Sequence, residues 1–122
     1  RSFEIMKITN FEIFQLHAEF CKVLASPKRL MIIALLSKKE LSVGELAEAT
    51  DTPLPTISQH LRVLRERHIV ATRKEGQTVY SRLVDERLMA ACTQIRTILL
   101  DSMKRRGIVA HEIDPQGVSS EE

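Results

Sequence analysis

The stretch from Ser42 to Leu64 constrains this chain most, because it spells two short helices with almost no room between them. Ser42-Val43-Gly44-Glu45 forms a capping box. The serine hydroxyl can accept from the Glu45 amide while the Glu45 carboxylate reaches back to the Ser42 amide. Val43, Leu46 and Ala47 are the inward residues of the helix that follows. Thr50-Asp51-Thr52 makes a turn, and Thr52-Pro53 reads as a second start, with Thr52 as N-cap and proline at the first helical position. Pro55 is still in the first turn, where it blocks no intrahelical bond. Leu54, Ile57, Leu61 and Leu64 are then spaced by three, four and three residues, a single apolar stripe.

The flanks fill in around this pair. Residues 1–10 have no clear period and read as an N-terminal extension. From about Phe11, Ile13, Leu16, Phe20 and Leu24 fall at helical spacing, joined by Phe14 and Cys21. Ser26-Pro27 restarts the chain into a helix to about Ser37, with Leu30, Met31, Ile33, Ala34 and Leu35 turned inward. Downstream, Ile69–Lys74 and Thr78–Val84 are rich in β-branched and aromatic residues and flank Glu75-Gly76-Gln77, a two-stranded hairpin. Asp85 caps a long helix through about Arg106, with Leu88, Ala91, Cys92, Ile95, Leu99 and Ser102 on one face and Gly107 ending it. Residues 107–122, punctuated by Pro115 and Gly117 and acidic at their end, read as a mobile tail. The expected fold is mainly α with a small β-hairpin wing, in the order α-α-α-α-β-β-α: a winged helix-turn-helix over residues 11–106.

Composition bounds the function. A chain of 122 residues with 43% hydrophobic content suits one domain with its own core. Apolar runs such as Leu30–Leu36 are too short to span a bilayer, and no secretory signal is visible at the start. Two cysteines do not make a disulfide scaffold, so the expectation is a cytoplasmic protein without a membrane partner. The four glycines include no GxGxxG or phosphate-loop pattern, so neither an enzyme nor a bound cofactor is expected. Pro53–Val84 carries six basic residues against two acidic ones, a net +4 within a chain whose total is +2. That local basic patch is the footprint of a phosphate-backbone contact.

The outer positions of the second short helix are Pro55, Thr56, Ser58, Gln59, His60 and Arg62, and Pro53–Val63 contains no acidic residue. Thr52, Thr56 and Ser58 are short enough for phosphates or base edges. Gln59 can bridge adenine N6 and N7, and Arg62 can bridge guanine O6 and N7. Arg73, Lys74 and Gln77 on the hairpin would meet the flanking backbone or minor groove. These residues make double-stranded DNA the expected partner. A winged helix used as a protein–protein module, without specific DNA binding, is the alternative.

Four segments together resemble the ArsR/SmtB repressors: Pro27-Lys28-Arg29-Leu30, Glu40–Leu46, Ile57–Arg65 and Thr72–Tyr80. The resemblance covers roughly residues 11–106. It implies a homodimer joined through the first and last helices, bound to a partly palindromic operator and released by an inducer that the sequence does not identify. The sequence itself points the same way, because Phe11, Phe14 and Phe20, three of the four phenylalanines, gather on the first helix.

Set beside the sensing subgroups of that family, Ser42 stands where metal sensors carry a cysteine, and Arg87, Ile98 and Asp101 stand where others bind zinc. Ala34 and Leu100 occupy the dithiol positions. No metal site is therefore expected. Cys21 and Cys92 lie on apolar stripes of the first and last helices. They read either as small hydrophobes or as a thiol sensor. His17 falls near the buried side of the first helix, His68 ends the recognition helix, and His111 is in the tail.

Overall fold

The computed structural model describes residues 7–108 and 112–117. Five helices and three strands follow in the order α1 (Asn10–Leu24), α2 (Pro27–Leu36), β1 (Leu41–Ser42), α3 (Val43–Ala49), α4 (Leu54–Glu66), β2 (Val70–Glu75), β3 (Thr78–Leu83) and α5 (Arg87–Arg105). This is a winged helix-turn-helix.

Local chemistry sets most of the boundaries. Ser26 accepts from the Arg29 amide at 3.3 Å, with Pro27 opening α2 behind it. The Ser42/Glu45 box closes in both directions, at 3.1 and 2.8 Å. A second box, Thr9 with Glu12 at 3.0 and 2.9 Å, starts α1 and was not read from the sequence. At α5, Glu86 holds the cap position without a side-chain bond, and the Asp85 carboxylate accepts from the Arg87 amide at 3.0 Å.

The expected hairpin is present, in register from Val70 opposite Leu83 to Glu75 opposite Thr78. Its turn places Gly76 at φ 63°, a left-handed conformation that suits glycine. The sheet has one strand more than expected. Leu41 and Ser42 pair antiparallel with Ser81 and Tyr80, giving the order β1-β3-β2.

The core joins Val23, Ile32, Ile33, Leu36, Leu41, Leu46, Ile57, Leu61, Leu64, Ile69, Val70 and Leu83. The α4 stripe is therefore buried over its last three members, while Leu54 is half exposed. In α2 the buried side is Ile32, Ile33, Ala34 and Leu36, and Met31, expected inside, is exposed. α1 contributes only Val23 as a buried residue, with Phe20 and Leu24 packed against the core. The rest of its apolar face is open, including Phe11 at 70% and Phe14 at 66% exposure, and α5 exposes Ile95, Ile98 and Leu99.

Residues 112–117 fall in the segment expected as a tail, yet they lie along α5. The Arg96 guanidinium donates to the carbonyls of Pro115 and Gln116, and Lys104 pairs with Glu112 at 2.9 Å.

Candidate nucleic-acid interface

The turn between α3 and α4 is tied from three sides. The Thr50 hydroxyl donates to the Leu46 carbonyl at 2.7 Å, and the Thr50 carbonyl accepts from Thr52 Oγ1 at 2.9 Å and Lys28 Nζ at 2.7 Å. Asp51 adopts φ 50°, which turns the chain sharply between the helices. Thr52 is consequently buried, and its hydroxyl is occupied within the turn. The expectation that Thr52 caps α4 is corrected: Pro53 holds the cap position with no side-chain bond.

Beyond the turn, α4 presents Pro55, Thr56, Ser58, Gln59 and Arg62 to solvent. Arg62 pairs with Glu66 at 3.0 Å, both side chains being exposed. Such an exposed pair contributes little and can exchange for a phosphate at small cost. His60 is only half exposed, and its Nδ1 lies 3.3 Å from Arg29 Nη1. Burial first, then the charges of Arg29 and Lys28, hold the His60 pKa below its ordinary value.

On the wing, Lys74 and Gln77 are exposed as expected, but Arg73 is engaged. It grips Glu40 with Nε and Nη2, pairs with Glu75 through Nη1 at 2.9 Å, and lies 4.7 Å over the Tyr80 ring. Arg73, expected to meet the flanking backbone or minor groove, is thus held by two carboxylates in the free protein.

Between α4 and the sheet runs a groove of about 520 Å³, bordered by Ser58, Gln59, Arg62, Arg65, Thr72 and Ser81 among others. Ser81 is fully buried and its hydroxyl has no hydrogen-bond partner. Arg65, Thr72 and Ser81 were not singled out as contacts from the sequence. Arg65 was visible there as one of the six basic residues of the window, whereas only the fold brings Thr72 and Ser81 to the groove.

Cys21 is exposed and Cys92 is buried, and both are free thiols. Burial pushes the Cys92 thiol up, Arg96 opposes this, and a charge on Cys21 would raise it further. Among the described residues, no three of His, Cys, Asp and Glu gather as a metal-ligating group, and no helix is long and apolar enough to cross a membrane. His17 and His68 are exposed, and His111 lies outside the described residues.

Residues 26–72 match the family described as bacterial regulatory protein, arsR family. The chain is also 32% identical over 96 residues to a transcriptional repressor SmtB homolog of Synechocystis, covering 79% of this chain and 73% of that protein. The chain belongs to the arsR family. Another match is a biofilm growth-associated repressor of Agrobacterium fabrum, 47% identical over 66 residues, 54% of this chain and 56% of that protein. Two further curated relatives are matched over 60% and 54% of their own lengths, so this chain spans less than two thirds of each of these three. The solution structure of a homodimeric winged helix-turn-helix DNA-binding domain from Mycobacterium bovis aligns with a TM-score of 0.68 at 25% identity, covering 89% of this chain and 100% of that one.

Proposed function

We propose that this arsR-family chain is a sequence-specific, double-stranded DNA-binding repressor that acts in the cytoplasm as a homodimer and performs no catalysis. The observation that carries this reading is the exposed face of α4 from Leu54 to Val63, a stretch free of acidic residues, beside a groove edged by Arg62 and Arg65 and flanked by the wing. Thr56, Ser58, Gln59 and Arg62 reach base edges or phosphates, and Lys74 and Gln77 meet the flanking backbone. The sugar–phosphate strand passes along the groove, where Arg65 supplies charge. A protein–protein role for α4 is disfavoured by this polar, acid-free face and by the DNA-binding neighbour of the same fold.

The dimer forms through α1 and α5, whose exposed Phe11, Phe14, Ile95, Ile98 and Leu99 are more apolar surface than a lone protomer supports in water. A two-fold axis there spaces two α4 helices about one DNA turn apart. Sedimentation equilibrium with a duplex from upstream of the chain's own gene tests both parts. Two protomers per duplex are expected; a monomer, or a dimer that leaves the duplex free at low salt, rejects the reading. An inducer releases the DNA, and Cys21 and Cys92 are the place where a thiol-directed signal acts. Intact-mass analysis after diamide treatment, showing both thiols still free, removes that last element alone.

A further inference from the structure

α1 and α4 are joined through a side chain that belongs to neither. Arg29, in the first turn of α2, donates from Nε to the Val23 carbonyl in the last turn of α1, at 2.6 Å. Its Nη1 lies 3.3 Å from Nδ1 of His60 on α4. Its backbone amide is capped by Ser26, so the side chain is rooted at a fixed point.

A guanidinium carries donors only, so the ring nitrogen facing it must accept. Nδ1 of His60 is therefore unprotonated, and the proton of the neutral ring resides on Nε2. The charged groups facing the ring are Arg29 and Lys28, both cationic, and together with burial they disfavour the imidazolium. The ring keeps one donor, Nε2–H, in one fixed tautomer.

We propose that Arg29 is a positioning residue for operator recognition: it fixes His60 as the neutral Nε2–H tautomer that donates to DNA, and ties that ring to the end of α1. The proposal rests on the DNA-binding reading above. It also gives α1 a route to the recognition helix, because a shift of the last turn of α1 moves the Val23 carbonyl that anchors Arg29.

The test has an arm without DNA and an arm with it. Two-bond 15N–1H correlation spectra of the free dimer should show His60 protonated on Nε2 and titrating below the usual histidine value. In Arg29→Gln the titration should rise and the tautomers should mix. In the DNA arm, Arg29→Gln and His60→Asn should each weaken operator binding roughly three- to tenfold, the scale of one hydrogen bond. His60→Gln places an amide donor near the Nε2 position and should keep most of the affinity. The double variant Arg29→Gln/His60→Asn should lose no more than either single change, since the two act as one unit.

A proton on Nδ1 of wild-type His60, or additive losses in the double variant, overturns the proposal. If Arg29→Gln fails to fold because the Val23 carbonyl loses its donor, the wild-type spectrum and the His60→Asn/His60→Gln pair still decide. If wild-type protein binds no duplex, the DNA-binding reading fails and the positioning role goes with it. An incorrect tautomer with DNA binding intact sinks the Arg29 proposal alone.

Discussion

Glu40 and Arg73 form a two-pronged ion pair across the base of the wing, with Arg73 Nε 3.0 and 2.9 Å from the two carboxylate oxygens and Nη2 2.8 Å from one of them. Glu40 precedes β1 and Arg73 lies on β2, so the pair straps the edges of a three-stranded sheet over its central strand. The guanidinium beside Glu40 holds that carboxyl below its usual range, and the carboxylates of Glu40 and Glu75 raise Arg73 in turn. The same contact ties β2 to the residue before β1 and holds the Arg73 guanidinium on carboxylates.

Glu40→Gln is expected to release that cation. Plots of log affinity against log salt should then steepen by about 0.9 for each Arg73 that reaches a phosphate. Duplex anisotropy between low and moderate salt reads this slope. An unchanged slope means Arg73 remains on Glu75 and Tyr80 even when Glu40 lets go.

Arg62 and Lys74 should behave differently from one another. Arg62→Ala is expected to cost about 1–3 kcal/mol on the operator and much less on random duplex, because a bidentate guanine contact is lost. Lys74→Ala should weaken both duplexes alike and flatten the salt slope. Equal losses on both duplexes for Arg62→Ala would remove Arg62 from base reading and leave it a phosphate contact.

His68 follows α4 at φ 60°, while the Ile69 amide closes back on the Leu64 carbonyl at 2.9 Å. This is the left-handed position at a helix end that glycine occupies without steric cost. His68→Gly should therefore stabilise the fold by about 1 kcal/mol, measured by urea unfolding. A lower midpoint would show that the His68 side chain contributes more than its backbone strain costs.

Asp85 accepts from the Arg87 amide at 3.0 Å and from its guanidinium at 2.7 Å, contacts that lower its carboxyl from 3.8 to about 2. The side-chain contact is the larger cause, ahead of the backbone one. A carboxyl depressed in the folded state stabilises fully above its unfolded value, and that contribution fades as pH falls through the folded one. Asp85→Ala should flatten the fall in stability between about pH 4 and pH 2. Because the pair is exposed, the difference should shrink in high salt. Parallel acid profiles for the two proteins would deny Asp85 this role.

Much of the architecture was legible because the signals were local. Ser26-Pro27, the Ser42/Glu45 box and the 3-4-3 stripe of α4 each act within one or two turns, and each appears where its chemistry requires. β1 was missed because two residues carry no period; Leu41 and Ser42 become a strand only through pairing with Ser81 and Tyr80. Thr52 was misread for a related reason. Threonine before proline is a good cap by type, but the left-handed Asp51 turns it inward, where the Thr50 carbonyl takes its hydroxyl. The site suffered most at long range. Glu40 lies 33 residues from Arg73, and Arg29 lies 31 from His60. No pattern in composition or spacing announces either pair.

The most direct test of the account is fluorescence anisotropy of the full chain on duplex DNA from upstream of its own gene, against a scrambled duplex, over a salt series. The account predicts tighter binding to the upstream duplex and an affinity that falls steeply and linearly in log salt as counterions are released. Equal binding to both duplexes, or an affinity indifferent to salt, would contradict the assignment of α4 and the wing as a sequence-reading DNA interface.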